Sequence, residues 1–298
     1  MVGEKNSKKM VLIPWLTMIF VSAFPNIILR EGLNINLPWL RWAKIGVLLV
    51  LFMISVFNKK LFPLRQYFGV FLAVFITTEA IIMLRATEQW KIWFGGDTPS
   101  FVQHMLRKQL LLLVGTFIIF VVLLLLKKKP SQFYLSMGDL NARVKPVKWL
   151  AVQDNIHWKR FGSEFGVYLS IGLLIYLLSA NGIPSIKDLL QVVPYIPAII
   201  IFATINSFYE ELVYRASLLS VLEGVVGERH SLFITTLYFG IGHFYGVPSG
   251  IIGIMMASFL GYILGKSILE TRGLFWAFVL HFVMDFCIYI FGCLNFIR

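Results

Sequence analysis

The chain has 298 residues, of which 58% are apolar and only 14% are charged, and its mean hydropathy is +0.79. Soluble domains carry about a quarter charged residues, so most of this chain must face lipid, and neither a disordered protein nor a disulfide-stapled domain fits this composition. The net charge of +12 does not indicate a nucleic-acid-binding protein, because the Lys and Arg residues cluster between apolar segments, where they anchor topology and contact anionic lipids.

Apolar runs long enough to cross a bilayer predict an all-α polytopic membrane protein with about eight or nine transmembrane helices. The run 109–126 contains no charged residue and is the clearest. The second and fifth runs are short, which leaves the count at eight or nine. The predicted spans are 10–29, 43–57, 67–84, 109–126, 165–180, 195–222, 231–248, 249–266 and 273–296.

The first predicted span resembles a signal peptide in two respects. Three lysines lie among the nine residues before it, and Val21-Ser22-Ala23 resembles a cleavage site. The apolar run nevertheless continues to Leu29, which is longer than the apolar region of an ordinary signal peptide. We therefore predict an uncleaved first helix.

The distribution of Lys and Arg predicts the orientation. With nine spans and a cytoplasmic N-terminus, 17 of the 27 basic residues lie on the inner side and nine on the outer side, and Arg215 lies within a span. This orientation places the polar segment 127–163 in the cytoplasm, as a loop with an amphipathic helix. The predicted organisation is therefore N-terminal helices over 1–130, a cytoplasmic loop over 131–163 and a functional core over 164–298, in a plasma membrane.

Six ionisable side chains lie within the predicted spans after position 195, and each costs at least about a few kcal/mol to insert. They are Glu210, Glu211, Arg215, His243, His281 and Asp285. The spacings 211/215, 239/243 and 281/285 each place two side chains on one face of a helix. Because these polar faces avoid lipid only by facing each other, we expect three helices to converge on one buried site.

The residue types suggest two kinds of chemistry. Glu211 and Arg215 neutralise each other, whereas Glu210 has no cation at helical spacing and is available as a general base. Glu210, His243, His281 and Asp285 are the ligand types of a catalytic Zn²⁺ with an open position. The same residues suit a metal-free site, in which a Glu–His pair activates water and a second His donates to an oxyanion.

Several residues also have purely structural interpretations. A lone histidine such as His243 often bonds a neighbouring helix, and Asp285 could simply fix the tautomer of His281. Glu79 is the one acid in the first four predicted spans, and we interpret it as structural. Gly261 and Gly265 form a GxxxG pattern typical of helix packing. Cys287 and Cys293 lie in an apolar stretch and are interpreted as small buried residues.

The three motifs together resemble those of the CPBP family, the intramembrane proteases related to CAAX-processing enzymes and also called Abi proteins. They are Glu210-Glu211-x-x-x-Arg215, Phe239-x-x-x-His243 and His281-x-x-x-Asp285, and the resemblance covers roughly residues 190–296. It implies an α-helical core around a membrane-embedded site that cuts peptide bonds near the cytoplasmic side. By the same resemblance, Glu210 and His243 would activate water, and His281 and Asp285 would stabilise the oxyanion or help hold a metal. Glu211, Arg215 and Phe239 would support the site.

The chain departs from the family pattern at two positions. Ala216 replaces a glycine that is common after the arginine, and Asp285 stands where the prenyl-protein proteases carry asparagine. An asparagine amide donates a hydrogen bond to an oxyanion, whereas an ionised aspartate only accepts. Asp285 is therefore better suited to ligating a metal or orienting His281.

The leading hypothesis is an intramembrane endopeptidase that acts on a membrane-associated or lipidated protein or peptide, with membrane lipids as its surroundings. The alternatives are an ion- or proton-coupled transporter, and a non-catalytic immunity or scaffold protein. No inverted repeat supports the transporter, and all three motifs are filled, which disfavours a lost site. The motifs of rhomboid-like, presenilin-like and His-Glu-x-x-His proteases are absent from the sequence.

Overall fold

The computed structural model describes residues 8–126, 128–152 and 155–297, which form helices and no strand, as the predicted all-α class requires. The lysine at position 5, part of the signal-peptide-like start, lies outside these residues. The helices are α1 Lys8–Val21, α2 Phe24–Ile27, α3 Leu40–Phe57, α4 Arg65–Arg85, α5 Glu88–Trp93, α6 Phe101–Leu125, α7 Trp158–Asn181, α8 Ile186–Val192, α9 Ile196–Glu210, α10 Ser217–Val226, α11 Glu228–Gly242, α12 Gly250–Thr271 and α13 Phe275–Ile297.

Over the described residues, seven helical segments are long and apolar enough to cross a membrane, and the bent pair Lys8–Val21 and Phe24–Gly32 makes an eighth. A single segment from Ile186 to Val226 contains α8, α9 and α10. The prediction that 231–248 forms a membrane-spanning helix is wrong. Helix α11 has 15 residues, about 22 Å, and ends at Gly242, short of the ~30 Å hydrocarbon core.

One end of the bundle gathers the segment 128–152, the α10–α11 turn and the α12–α13 turn, and we call it the loop face. The Lys128 ammonium donates to the Ser220 carbonyl at 3.0 Å. Arg272 pairs with Glu223 at 2.7 Å and with Glu228 at 3.1 Å. With nine spans and a cytoplasmic N-terminus, these three segments are all expected on the inner side, and they do lie together.

The polar segment itself differs from its prediction. Its described residues contain 3₁₀ turns at Pro130–Phe133 and Lys148–Leu150 but no amphipathic α-helix, and α7 begins at Trp158, before the predicted 165. Tyr134 anchors the segment by donating a hydrogen bond to Glu223. Burial, and then this hydrogen bond, raise the pKa of Tyr134, so its hydroxyl stays protonated and remains a donor.

The N-terminal helices pack directly against the C-terminal ones. The rings of Phe71 in α4 and Tyr238 in α11 meet edge to face at 5.0 Å. Gly115 of α6 lies against the ring of Tyr209, with no room for a side chain between them. Helices α4 and α6 therefore form one wall of the region that holds the motifs.

Candidate active site

The first motif lies at a break in helix geometry. Helix α9 ends at Glu210, and Glu211–Ala216 form a π-helix, a form often found at functional sites and one that the sequence did not predict. Arg215 nevertheless reaches Glu211, and the two paired side chains are fully buried. The side chain of Glu210 is 18% exposed, whereas that of Glu211 is 0% exposed. The two adjacent carboxylates thus lie in different environments.

Arg215 is enclosed by a ring and a helix backbone. Its guanidinium carbon lies 3.7 Å from the centroid of the Phe239 ring, a cation–π contact. A Cβ atom at Gly261 of α12 would lie 3.3 Å from Arg215 Nη2 and 3.3 Å from Phe239 Cδ1. Gly265, the second glycine of the GxxxG pattern, lies against Leu232. The pattern therefore packs α12 against α11 and also leaves room for Arg215.

His281 connects the carboxylates of the site. Its Nδ1 lies 2.6 Å from Glu211 Oε1. Its Nε2 lies 3.5 Å from Glu210 Oε2 and 3.7 Å from Asp285 Oδ2, beyond normal hydrogen-bond length. Ionised carboxylates only accept, so Nδ1 is the donor to Glu211, and a proton on Nε2 would offset the two acids that it faces.

His243 follows α11 in a short 3₁₀ turn. Its Nδ1 lies 2.9 Å from the carbonyl oxygen of Phe239, four residues earlier. A carbonyl oxygen only accepts, which assigns the ring proton to Nδ1. The neutral ring then presents Nε2 as an acceptor.

These motif residues line a cavity of about 510 Å³. Glu210, His243, His281 and Asp285 form its polar part, and most other lining residues are apolar side chains of α7, α12 and α13. The rings of Phe165 and Phe259 meet at 5.9 Å between α7 and α12. Beyond them, Tyr168 and Met255 line the cavity and are largely exposed. The cavity is therefore an apolar cleft with a polar floor and a rim on the exposed surface of α7 and α12.

A second cavity, of about 750 Å³, shares Glu210 and His243 with the cleft and is far more polar. Its lining includes Lys44, Arg85 and Lys108 from the N-terminal helices. Arg85 ends α4, and Lys108 lies in the first turns of α6, so both are remote from the loop face. Glu210 and His243 thus lie at the boundary between an apolar cleft and a polar cavity.

Comparison with known families agrees with the motifs. Residues 192–287 match the family model described as Type II CAAX prenyl endopeptidase Rce1-like. This range of the chain is therefore similar to the CAAX proteases. It extends from the end of α8 into α13 and contains all three motifs, close to the range of the predicted resemblance. No curated protein and no solved structure matches the chain. The family implies a membrane-embedded peptidase.

The site contains one polar side chain that was not predicted from the sequence. Asn206 of α9 donates from Nδ2 to Asp285 Oδ2 at 3.1 Å and lines the cleft. Its position four residues before Glu210 places it on the same face of α9 as that carboxylate, a signal that was available in the sequence. Glu79, by contrast, pairs with Arg41 at 3.8 Å, in keeping with a structural role.

The zinc site that the sequence left open as one of two alternatives has no support in the geometry. Among the residues that the structure describes, no three His, Cys, Asp or Glu side chains are arranged to hold a metal ion. Cys287 and Cys293 are free thiols outside the three motifs. We therefore derive no catalytic step that passes through a metal.

Proposed function

We propose that the protein is an intramembrane endopeptidase in which Glu210 and His243 activate water for attack on a peptide bond. The observation that carries the proposal is the exposure and hydrogen bonding of the Glu210 carboxylate. Its side chain lines both cavities and is the most exposed of the carboxylates around His281. Its buried Oε2 has no hydrogen-bond partner among the described residues. A partly exposed carboxylate at the meeting point of two cavities is suited to accept a proton from water.

The second acceptor of the water is His243 Nε2. With Nδ1 held by the Phe239 carbonyl, the ring cannot turn freely, and Nε2 is fixed relative to the cleft. The water oxygen attacks the carbonyl carbon as one of its protons passes to Glu210. That proton is then delivered to the leaving nitrogen as the C–N bond breaks, which yields a free carboxylate and a free amine.

We assign the remaining motif residues to the support of these two groups. His281 faces Glu210 and Asp285 through Nε2, and a proton there reduces the repulsion between their carboxylates. Glu211 accepts a hydrogen bond from His281 Nδ1, and Arg215 pairs with Glu211. Both side chains are fully buried, so substrate does not reach them. In this scheme Asp285 orients neighbouring groups and does not attack the substrate.

The shape of the cleft suggests the kind of substrate. Its walls are mostly apolar, and its rim at Tyr168 and Met255 lies on the surface that contacts lipid. An apolar peptide segment or a lipid-modified peptide would enter laterally, between α7 and α12. The substrate class is therefore a membrane-associated or lipidated protein or peptide, cut within a plasma membrane.

The test compares wild type with Glu210→Gln in cell membranes, by mass spectrometry of newly formed peptide termini. We expect termini that form with wild type and disappear in the variant, and about a 10²–10⁴-fold slower cleavage of the peptide so identified. Glu164→Gln, at an exposed glutamate of α7 that lines none of these cavities, is the control and should cleave normally. Unchanged cleavage by folded Glu210→Gln would refute the proposal.

A metal-dependent variant of the proposal predicts a different result. In that case wild type would lose cleavage on treatment with a chelator and regain it with Zn²⁺. Metal measured by mass spectrometry would then fall in both His243→Ala and His281→Ala. A transporter would instead move ions or protons in liposomes without generating new termini.

A further inference from the structure

We propose that Asn206 is a catalytic residue whose side-chain amide donates a hydrogen bond to the carbonyl oxygen of the scissile bond as negative charge develops there. The inference rests on the proposed peptidase function. It assigns a role to a residue outside the three motifs.

The cleft is rich in acceptors and poor in donors. Glu210 and Asp285 only accept hydrogen bonds when ionised. The N–H of His243 already donates to the Phe239 carbonyl. His281 has committed Nδ1 to Glu211, and its Nε2 faces two carboxylates. A developing oxyanion, by contrast, needs at least one N–H or O–H donor that points at it.

Arg215, the strongest donor of the motifs, does not supply this bond. It is fully buried behind the Phe239 ring and does not line the cleft. Among the residues that the structure describes, the remaining donor side chains that line the cleft are Asn206 and Tyr168. Tyr168 is 68% exposed at the rim of α7, so Asn206 is the donor next to the proposed base.

The contact with Asp285 fixes the orientation of the Asn206 amide. Because an ionised carboxylate only accepts, the nitrogen of the amide must face Asp285 Oδ2, at 3.1 Å. That nitrogen carries two hydrogens, and the bond to Asp285 uses one of them. Asn206 lines both the cleft and a neighbouring cavity of about 770 Å³, so its amide is accessible from the cavities.

The placement of Asn206 also suits the reaction. It lies one helical turn before Glu210 on α9, so the donor and the proposed base project from one face of a rigid helix. Asp285 then becomes a positioning residue that holds the amide from α13.

The experiment uses full-length protein in detergent, the peptide that wild type cleaves, and the variants Asn206→Ala and N206D/D285N. We expect Asn206→Ala to reduce kcat by about 10²–10³-fold, as for the loss of an oxyanion donor. KM should stay within about twofold, because the bond forms mainly in the transition state. N206D/D285N exchanges the two groups and keeps their hydrogen bond. It should cleave at least about tenfold faster than Asn206→Ala, since one amide donor remains in the cleft.

A second measurement does not depend on turnover. The probe is N-acetyl-tetraleucine aldehyde, whose hydrate carries a tetrahedral carbon, and its control is the corresponding amide. Asn206→Ala should bind the aldehyde more weakly than wild type by about the factor lost in kcat, and should bind the amide equally well.

The outcomes separate this inference from the proposed function. If Glu210→Gln is inactive while Asn206→Ala keeps kcat and aldehyde affinity, the inference is wrong and the peptidase proposal stands. If Glu210→Gln is active, both fail. A structural role would appear in a different way. Asn206→Ala would then change only KM or the thermal unfolding midpoint, and N206D/D285N would not recover activity. That result would overturn the inference.

Discussion

His281 Nδ1 lies 2.6 Å from Glu211 Oε1, and this is the same carboxylate oxygen that pairs with Arg215. One buried oxygen therefore joins α13 to the π-helix and also neutralises the arginine. Since the side chains of Glu211 and Arg215 are fully buried, water cannot replace either partner. The position of His281 relative to Glu210 thus depends on an ion pair that never touches substrate.

Glu211→Gln should destabilise the protein strongly. The variant leaves Arg215 buried without a counter-charge, and removal of one partner of a buried ion pair typically costs about 3–5 kcal/mol. We expect a lower thermal unfolding midpoint and a lower yield in detergent. The double variant E211L/R215L should recover much of the stability, because no charge remains unpaired, but it should stay inactive without an anchor for His281. Wild-type stability in Glu211→Gln would contradict this account of the pair.

The variant His243→Asn should distinguish the role of Nδ1 from that of Nε2. The asparagine amide nitrogen takes the place of Nδ1 and still donates to the Phe239 carbonyl, whereas nothing replaces Nε2. We expect an unchanged unfolding midpoint and a rate reduced by about 10²–10⁴-fold. His243→Gln, which places a polar atom nearer Nε2, is the comparison. Activity retained in His243→Asn would exclude Nε2 as an acceptor of the water proton.

The sequence predicted the parts of the site that depend on helical periodicity. Spacings of four residues correctly placed Glu211 with Arg215 and Phe239 with His243, and the family model matches the range 192–287, close to the range of the predicted resemblance. The π-helix was not predictable, because it needs an inserted residue that no local pattern marks. The short α11 was missed because the apolar residues continue past Gly242 while the helix does not.

Long-range contacts were also beyond sequence reasoning. The N-terminal helices contribute Lys44 and Arg85 to a cavity that Glu210 also lines. This contribution depends on tertiary packing between segments that are distant in the sequence. Asn206 is a different case, because its spacing to Glu210 was visible in the sequence. An amide is uncharged, however, and a search for ionisable residues in spans passes over it.

Gly261→Leu should damage the site through packing alone. A side chain at this position enters the space occupied by Arg215 and the Phe239 ring, because its Cβ atom would lie 3.3 Å from Arg215 Nη2 and 3.3 Å from Phe239 Cδ1. Overpacking of this kind costs typically about 1–3 kcal/mol. Gly224→Leu is the matched control, since a Cβ there meets no atom within 4 Å. We expect a lower unfolding midpoint and lower activity for Gly261→Leu only, and equal midpoints for the two variants would refute the packing argument.

The orientation of the bundle can be tested by labelling single cysteines with a membrane-impermeant maleimide. In a background with Cys287→Ala and Cys293→Ala, Lys148→Cys reports the loop face and Thr98→Cys reports the end near Asp97, which lines a cavity shared with Asn206. Both positions are exposed. The excess of basic residues predicts that intact cells label Thr98→Cys, and that Lys148→Cys labels only after permeabilisation.

That result would have a mechanistic consequence. The polar cavities beside Glu210 and Asn206 are lined by Arg85 and Lys108, at the end of the bundle opposite the loop face. With the loop face in the cytoplasm, water would reach Glu210 from the other side of the membrane. The resemblance implies cleavage near the cytoplasm, and labelling of Lys148→Cys in intact cells would support that side and show the charge-based orientation to be wrong. Labelling of both positions from one side would contradict the arrangement of α4 and α6 itself.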